Sequence, residues 1–268
     1  WIAMMDSAAD PSNERAQVRS DIAAAVLVSL GAPSSLGHVR WPQGELVELE
    51  CEVVPGSGFC FYDACARQLG LSNFRVLALA ALLAVASEED DFRAAIGSCE
   101  EEAALRRKAV EAVPCYRDLK REQLGVSECY VLDKLEGVLE DVALDGRRYA
   151  DDVEITALLR KLGLEALVLR PDRVEYSLWK PSNRPVVQHD LQVGLVQAAP
   201  DLFFLHWADN AYEHFATVRN EAQGVWCLPE QKRGEALAFL QEDPFRSAVA
   251  LLEQGNTDGV RVIARGLL

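Results

Sequence analysis

The stretch from Val53 to Gly70, Val-Val-Pro-Gly-Ser-Gly-Phe-Cys-Phe-Tyr-Asp-Ala-Cys-Ala-Arg-Gln-Leu-Gly, constrains this chain more than any other. Glu45 to Val54 alternates and is rich in Val and Leu, which predicts a strand. Pro55-Gly-Ser-Gly breaks that pattern, because Gly56 and Gly58 reach backbone angles closed to other residues. From Cys60 onward, Phe61, Ala64, Cys65 and Leu69 fall at helical spacing, and Gly70 stands where a helix ends. The pattern therefore reads strand, tight turn, helix, with Cys60 as the first helical residue. Unpaired N–H groups and the helix dipole at that position favour negative charge. The expectation is a thiol with a lowered pKa, and hence a nucleophile. The same amides suit an oxyanion formed when a thiolate attacks a carbonyl.

The rest of the chain narrows the setting. With 268 residues, half of them hydrophobic, it has enough apolar material for one large domain or for a domain with an appendage. A net charge of −15 argues against a nucleic-acid partner, since no basic field offsets phosphate repulsion. Seven cysteines, Cys51, Cys60, Cys65, Cys99, Cys115, Cys129 and Cys227, are scattered without a C-x-x-C pair, so neither a zinc site nor a disulfide framework is expected. That usage fits a reducing, intracellular and cytoplasmic setting. No signal peptide is visible. The apolar run Phe74 to Ala86 is too short to span a bilayer and reads as a buried helix, so no membrane association is expected.

Three parts follow from the pattern: an N-terminal helical extension (1–45), a central domain (46–220) and a C-terminal helical segment (221–268). The extension carries a helix from about Asn13 to Leu30, and His38 to Pro42 is a connector. Helices are predicted near 91–97, over Glu100 to Val113, within Leu119 to Leu139, and after Asp151 or Asp152. In the last of these, Asp151, Asp152 and Glu154 read as capping and dipole-pairing acids rather than as a catalytic carboxylate pair. Strands are predicted at Leu164 to Arg170, Val174 to Trp179 and Leu191 to Gln197. Leu202 to Trp207 and His214 to Arg219 form a strand pair across a short loop. Lys232 to Gln241 and Phe245 to Gln254 read as two helices.

A nucleophilic cysteine needs a base, usually histidine. His38 and His189 lie in connector-like sequence, and His206 reads as a half-buried packing residue. His214 begins the last strand, where a side chain can reach a helix terminus. Three separated blocks now resemble the ovarian-tumour cysteine proteases, which are mostly deubiquitinases. Pro55-Gly-Ser-Gly-Phe-Cys60-Phe-Tyr-Asp-Ala is similar to that family's P-x-D-G-N-C-[LF]-[FY]-x-A block. Tyr149-Ala-Asp-Asp-Val-Glu-Ile-Thr-Ala-Leu resembles its W/Y-G-x-x-x-E-[IL]-x-A-L helix, and Leu164 to Leu169 the strand that follows. Leu205-His-Trp, a loop, and Glu213-His-Phe-Ala-Thr-Val resemble its closing H-Y-[ND]-x-V strand. Order and separation fit, and the resemblance covers about 46–220.

The resemblance implies a papain-like α+β fold, a small mixed central β-sheet between helical layers, with the nucleophile at a helix N-terminus. It implies Cys60 as nucleophile, His214 as general base and the turn of Ser57, Gly58 and Phe59 as oxyanion hole, without metal or cofactor. It further implies ubiquitin or ubiquitin-like conjugates as partners, cut after the modifier's C-terminal glycine through a thioester on Cys60. Two positions depart from the pattern. Ser57 stands where the family places Asp, and Ala216 stands where it places the Asn or Asp that orients the imidazole. Asp209, Asn210, Glu213, Glu48 or Glu50 are the candidates to orient the histidine instead, and Trp207 is a candidate wall of the substrate channel. A ubiquitin-binding module without catalysis is a second reading. An unrelated cysteine hydrolase acting on small thioesters or amides is a third.

Overall fold

A computed structural model describes residues 35–40, 46–52, 58–99, 125–139, 149–170, 175–181, 183–189, 201–208, 213–220, 224–225 and 227–268. It is an α+β protein. Eight strands make one mixed sheet: β1 (Ser35–Arg40), β2 (Leu46–Glu52), β3 (Ala166–Arg170), β4 (Glu175–Lys180), β5 (Asn183–His189), β6 (Leu202–Ala208), β7 (Glu213–Asn220) and β8 (Gly224–Val225). Their order is β1-β2-β7-β6-β3-β4-β5, with β8 paired to β7. The β3–β6 pair is parallel, and the other pairs are antiparallel.

The helices are α1 (Cys60–Gln68), α2 (Arg75–Ser87), α3 (Glu89–Cys99), α4 (Val126–Leu139), α5 (Asp152–Leu162), α6 (Glu230–Leu237), α7 (Phe245–Glu253) and α8 (Thr257–Leu267). A 3₁₀ turn, Ala238–Gln241, continues α6. The chain enters α1 through Gly58 at φ 82°, a left-handed conformation that costs glycine nothing and other residues steric strain. Gly70, at φ 64°, lets it leave α1. A Cβ at Gly70 would come within 2.7 Å of the Arg233 guanidinium, the far end of a flexible side chain that can move aside, so it is the backbone angle that favours glycine there.

Helix α2 is apolar on every side, and Val76 to Ala86 are all buried. A helix without a polar face must be surrounded. It packs against α1, α3, α4, α5, α7 and α8. Phe245 and Ala248 of α7, and Val260 and Ala264 of α8, belong to the same continuous core as α1 and α2. The sheet residues that join this core, Ala166, Val168, Trp179, Leu202, Phe204 and Phe215, all lie on one sheet face by register. Leu167 and Phe203 point the other way and are buried outside that cluster. Among the described residues, both faces of the sheet therefore carry buried side chains.

Most predicted elements are present, including the hairpin β6–β7. Two histidines lie elsewhere than expected: His38 is in β1 and His189 in β5, not in connectors. Strand β5 escapes sequence reading because Pro185 interrupts its pattern; as the last strand of the sheet among the described residues, β5 tolerates a residue with no N–H to donate. Helix α8 is obscured by Gly259 and Gly266, although Asn256 caps it by accepting from the Gly259 amide at 3.0 Å. The expected helices over 13–30 and 100–113 and the strand over 191–197 lie outside the described residues.

A two-pronged ion pair ties α8 to α4. The Arg261 Nε and Nη2 each donate to a carboxylate oxygen of Glu136 at 2.7 Å, and Glu136 is 1% exposed. Removing the guanidinium leaves a carboxylate buried without its partner. Arg261→Ala is therefore expected to lower unfolding free energy by about 2–3 kcal/mol, below the full range for buried pairs because the arginine is partly exposed. Urea denaturation measures it. A loss of only a few tenths would show that Glu136 finds other partners.

Candidate active site

The site is built where a strand ladder ends and a helix begins. Among the described residues, strand β2 pairs with β7 from Leu49–Asn220 to Glu52–Thr217. Toward His214 the same edge of β7 meets the first turn of α1. Phe59 precedes that turn at φ −97° and ψ 19°, with no side chain capping it. Phe61 anchors the turn: its ring lies 5.2 Å from Phe215, edge-on, and 5.4 Å from Phe204. Phe59 packs on Phe74 at 5.2 Å. Residues 59 to 62 are all buried.

This packing brings the Cys60 sulfur within hydrogen-bonding reach of the Phe215 backbone amide. That N–H belongs to the peptide group joining His214 to Phe215, so the two sequence-predicted catalytic positions meet through the β7 backbone. The amides of Cys60 and Phe61, at the start of α1, also act on the sulfur. Three N–H groups from two elements therefore converge there, and such a cluster suits a developing negative charge.

The thiol itself departs from expectation. Burial pushes the Cys60 pKa up from 9.0 to about 11, and nearby Asp63 adds to the rise. The three amides pull the other way and lose. The helix start was expected to lower this pKa, but Cys60 is 4% exposed, and losing water costs a thiolate more than the amides return. The resting site therefore holds a neutral thiol at pH 7, and its proton must be taken by a base during reaction rather than lost beforehand.

The other predicted site residues fall as follows. Gly58 and Phe59 lead directly into Cys60, and both are buried. Ser57, Asp209 and Asn210 lie outside the described residues. Trp207 of β6 is the register partner of His214, which sets the two positions side by side at the end of the hairpin. Ala216 pairs with Leu205. His206 is more deeply buried than expected, at 2% exposure, and its ring stacks on Phe215 at 4.2 Å. Among the described residues, no group of three or more His, Cys, Asp or Glu could hold a metal ion.

Sequence reading missed two contributions. The Phe215 amide reaches the Cys60 sulfur from β7, because nothing in sequence fixes which strand a helix start will touch. Glu154 was read as a cap, and it is one: with Asp151 it completes a capping box at the start of α5. It also reaches Tyr62 of α1, whose hydroxyl donates to its Oε1 at 2.7 Å. Compared with known protein families and with curated protein sequences, the chain matches none.

The raised thiol pKa has a consequence for stability. Because the folded-state value exceeds the unfolded one, the contribution is intact below pH 9 and is lost as pH rises toward 11. The full loss is about 2–3 kcal/mol. Cys60→Ala is expected to flatten the alkaline limb of a stability-against-pH curve by that amount relative to wild type. Equal alkaline slopes in the two proteins would contradict the burial of the sulfur.

Proposed function

We propose that the protein is a thiol isopeptidase of the ovarian-tumour type, with the papain-like fold that this implies, acting on ubiquitin or a ubiquitin-like modifier. One observation carries the reading: Cys60 opens α1 with its sulfur against the amide that follows His214. The three blocks that resemble the family support it, and so does the order of their elements, helix α1, helix α5 with β3, then the β6–β7 hairpin.

In this reading His214 takes the Cys60 thiol proton as the sulfur attacks the carbonyl carbon after the modifier's last glycine. The carbonyl electron pair moves onto oxygen, where the amides of the turn Ser57, Gly58 and Phe59 leading into Cys60 stabilise the oxyanion. The C–N bond then breaks, and the proton held by His214 passes to the departing lysine amine. Water attacks the resulting thioester, releasing the modifier's carboxylate and restoring the thiol. No metal or cofactor is needed for these steps. The chain's negative charge suits the arginine-rich tail of ubiquitin, chiefly by speeding encounter. An intracellular site of action follows from that substrate; among the described residues no helix is long and apolar enough to cross a membrane.

A second reading, a ubiquitin-binding module without turnover, is favoured by the raised Cys60 pKa together with Ala216. A ubiquitin probe bearing a cysteine-reactive C-terminus separates them. The isopeptidase is expected to be labelled in wild type and in Cys65→Ala, not in Cys60→Ala, and about 10²–10⁴-fold more slowly in His214→Ala. Binding of the probe without labelling would leave only the module. Indifference to the probe, with hydrolysis of a small thioester, would point to an unrelated cysteine hydrolase.

A further inference from the structure

We propose that Tyr62 is a positioning residue for Cys60, fixing the rotation of α1 through the hydrogen bond from its hydroxyl to the buried Glu154; the inference rests on reading Cys60 as the nucleophile. Cys60, Phe61 and Tyr62 are consecutive in the first turn, so their side chains leave the helix in three directions about 100° apart. Each meets a different neighbour. Cys60 meets the β7 backbone, Phe61 the Phe204–Phe215 rings and Tyr62 the Glu154 carboxylate. Of these, the ring contacts tolerate sliding, while the 2.7 Å hydrogen bond is narrow in distance and angle.

The other end of that bond is itself immobilised. Glu154 Oε2 accepts from Lys134 Nζ at 2.9 Å and from the Asp151 amide at 3.3 Å. Lys134 Nζ in turn donates to the Tyr149 carbonyl at 2.6 Å and lies 3.5 Å from Asp151. The Tyr130 hydroxyl donates to Asp151 at 2.7 Å and stands 3.5 Å from Glu154. The groups facing Glu154 are therefore Tyr62 from α1, Tyr130 and Lys134 from α4, and Asp151 at the start of α5. Glu154 and Tyr62 are both nearly inaccessible, so water cannot replace the bond once it is lost. A capping acid that also holds the helix of the cysteine couples the start of α5 to the orientation of the sulfur.

A purely structural tie would alter stability and leave the chemistry of the sulfur alone. Two readouts separate the cases: kcat and KM on a fluorogenic ubiquitin C-terminal amide, and the rate of Cys60 alkylation by iodoacetamide between pH 7 and 10. For Tyr62→Phe, kcat is expected to fall about tenfold with KM unchanged, because the sulfur no longer lies in line with its target. Alkylation at pH 9 is expected to slow about threefold, as the Phe215 amide loses its alignment with the thiolate. Glu154→Gln leaves one amide oxygen to serve both Tyr62 and the donors Lys134 and Asp151, and is expected to lower kcat in the same direction as Tyr62→Phe. A lowered melting temperature in Tyr62→Phe, with kcat and alkylation unchanged, would overturn the proposal; so would a tenfold loss in Glu154→Gln alone. Should wild type not turn over ubiquitin, the isopeptidase reading fails while the alkylation comparison still decides the role of Tyr62.

Discussion

Phe61 lies edge-on to Phe215 and tilted against Phe204, and that aromatic contact seats the start of α1 against the sheet. With Phe61 seated, the preceding residue is pressed onto the β7 backbone and the following one is turned toward α5. The consequence for chemistry is twofold. The contact supplies the Cys60 sulfur with an amide from a strand distant in sequence, and it strips the sulfur of water. The two effects oppose each other on the thiol pKa, and desolvation wins. A helix N-terminus in open solvent stabilises a thiolate; the same N-terminus pressed into a sheet does so less than burial penalises it.

Much of this was legible in the amino-acid pattern, for identifiable reasons. The helical spacing after Cys60 and the unbroken apolar run of α2 are local signals, and both helices stand where they point; of the Pro-Gly-Ser-Gly break only Gly58 is among the described residues. The β6–β7 register, which makes Trp207 the partner of His214, follows from two alternating strands across a short loop. What escaped was set by tertiary contact. Pro185 hides an edge strand because edges forgive a missing donor, which sequence alone does not reveal. The thiol pKa was misjudged because local pattern shows the dipole and not the depth of burial. The second role of Glu154 was invisible because its partner, Tyr62, is ninety-two positions away.

Near its far end, α1 is fastened by the amide of Gln68, which donates to the Phe203 carbonyl at 2.9 Å and accepts from the Phe203 N–H at 2.8 Å. The side chain thus copies the pairing of a neighbouring strand on a stretch of β6 before its ladder with β7 begins. The two residues are separated by 135 positions. At ordinary translation speeds, a ribosome needs roughly seven to twenty-seven seconds to cover that distance. Throughout that interval the helix bearing the cysteine has been synthesised and its docking strand has not. The sulfur therefore acquires its sheltered, slow-ionising character only when β6 and β7 emerge, and until then it is an ordinary thiol on a nascent chain.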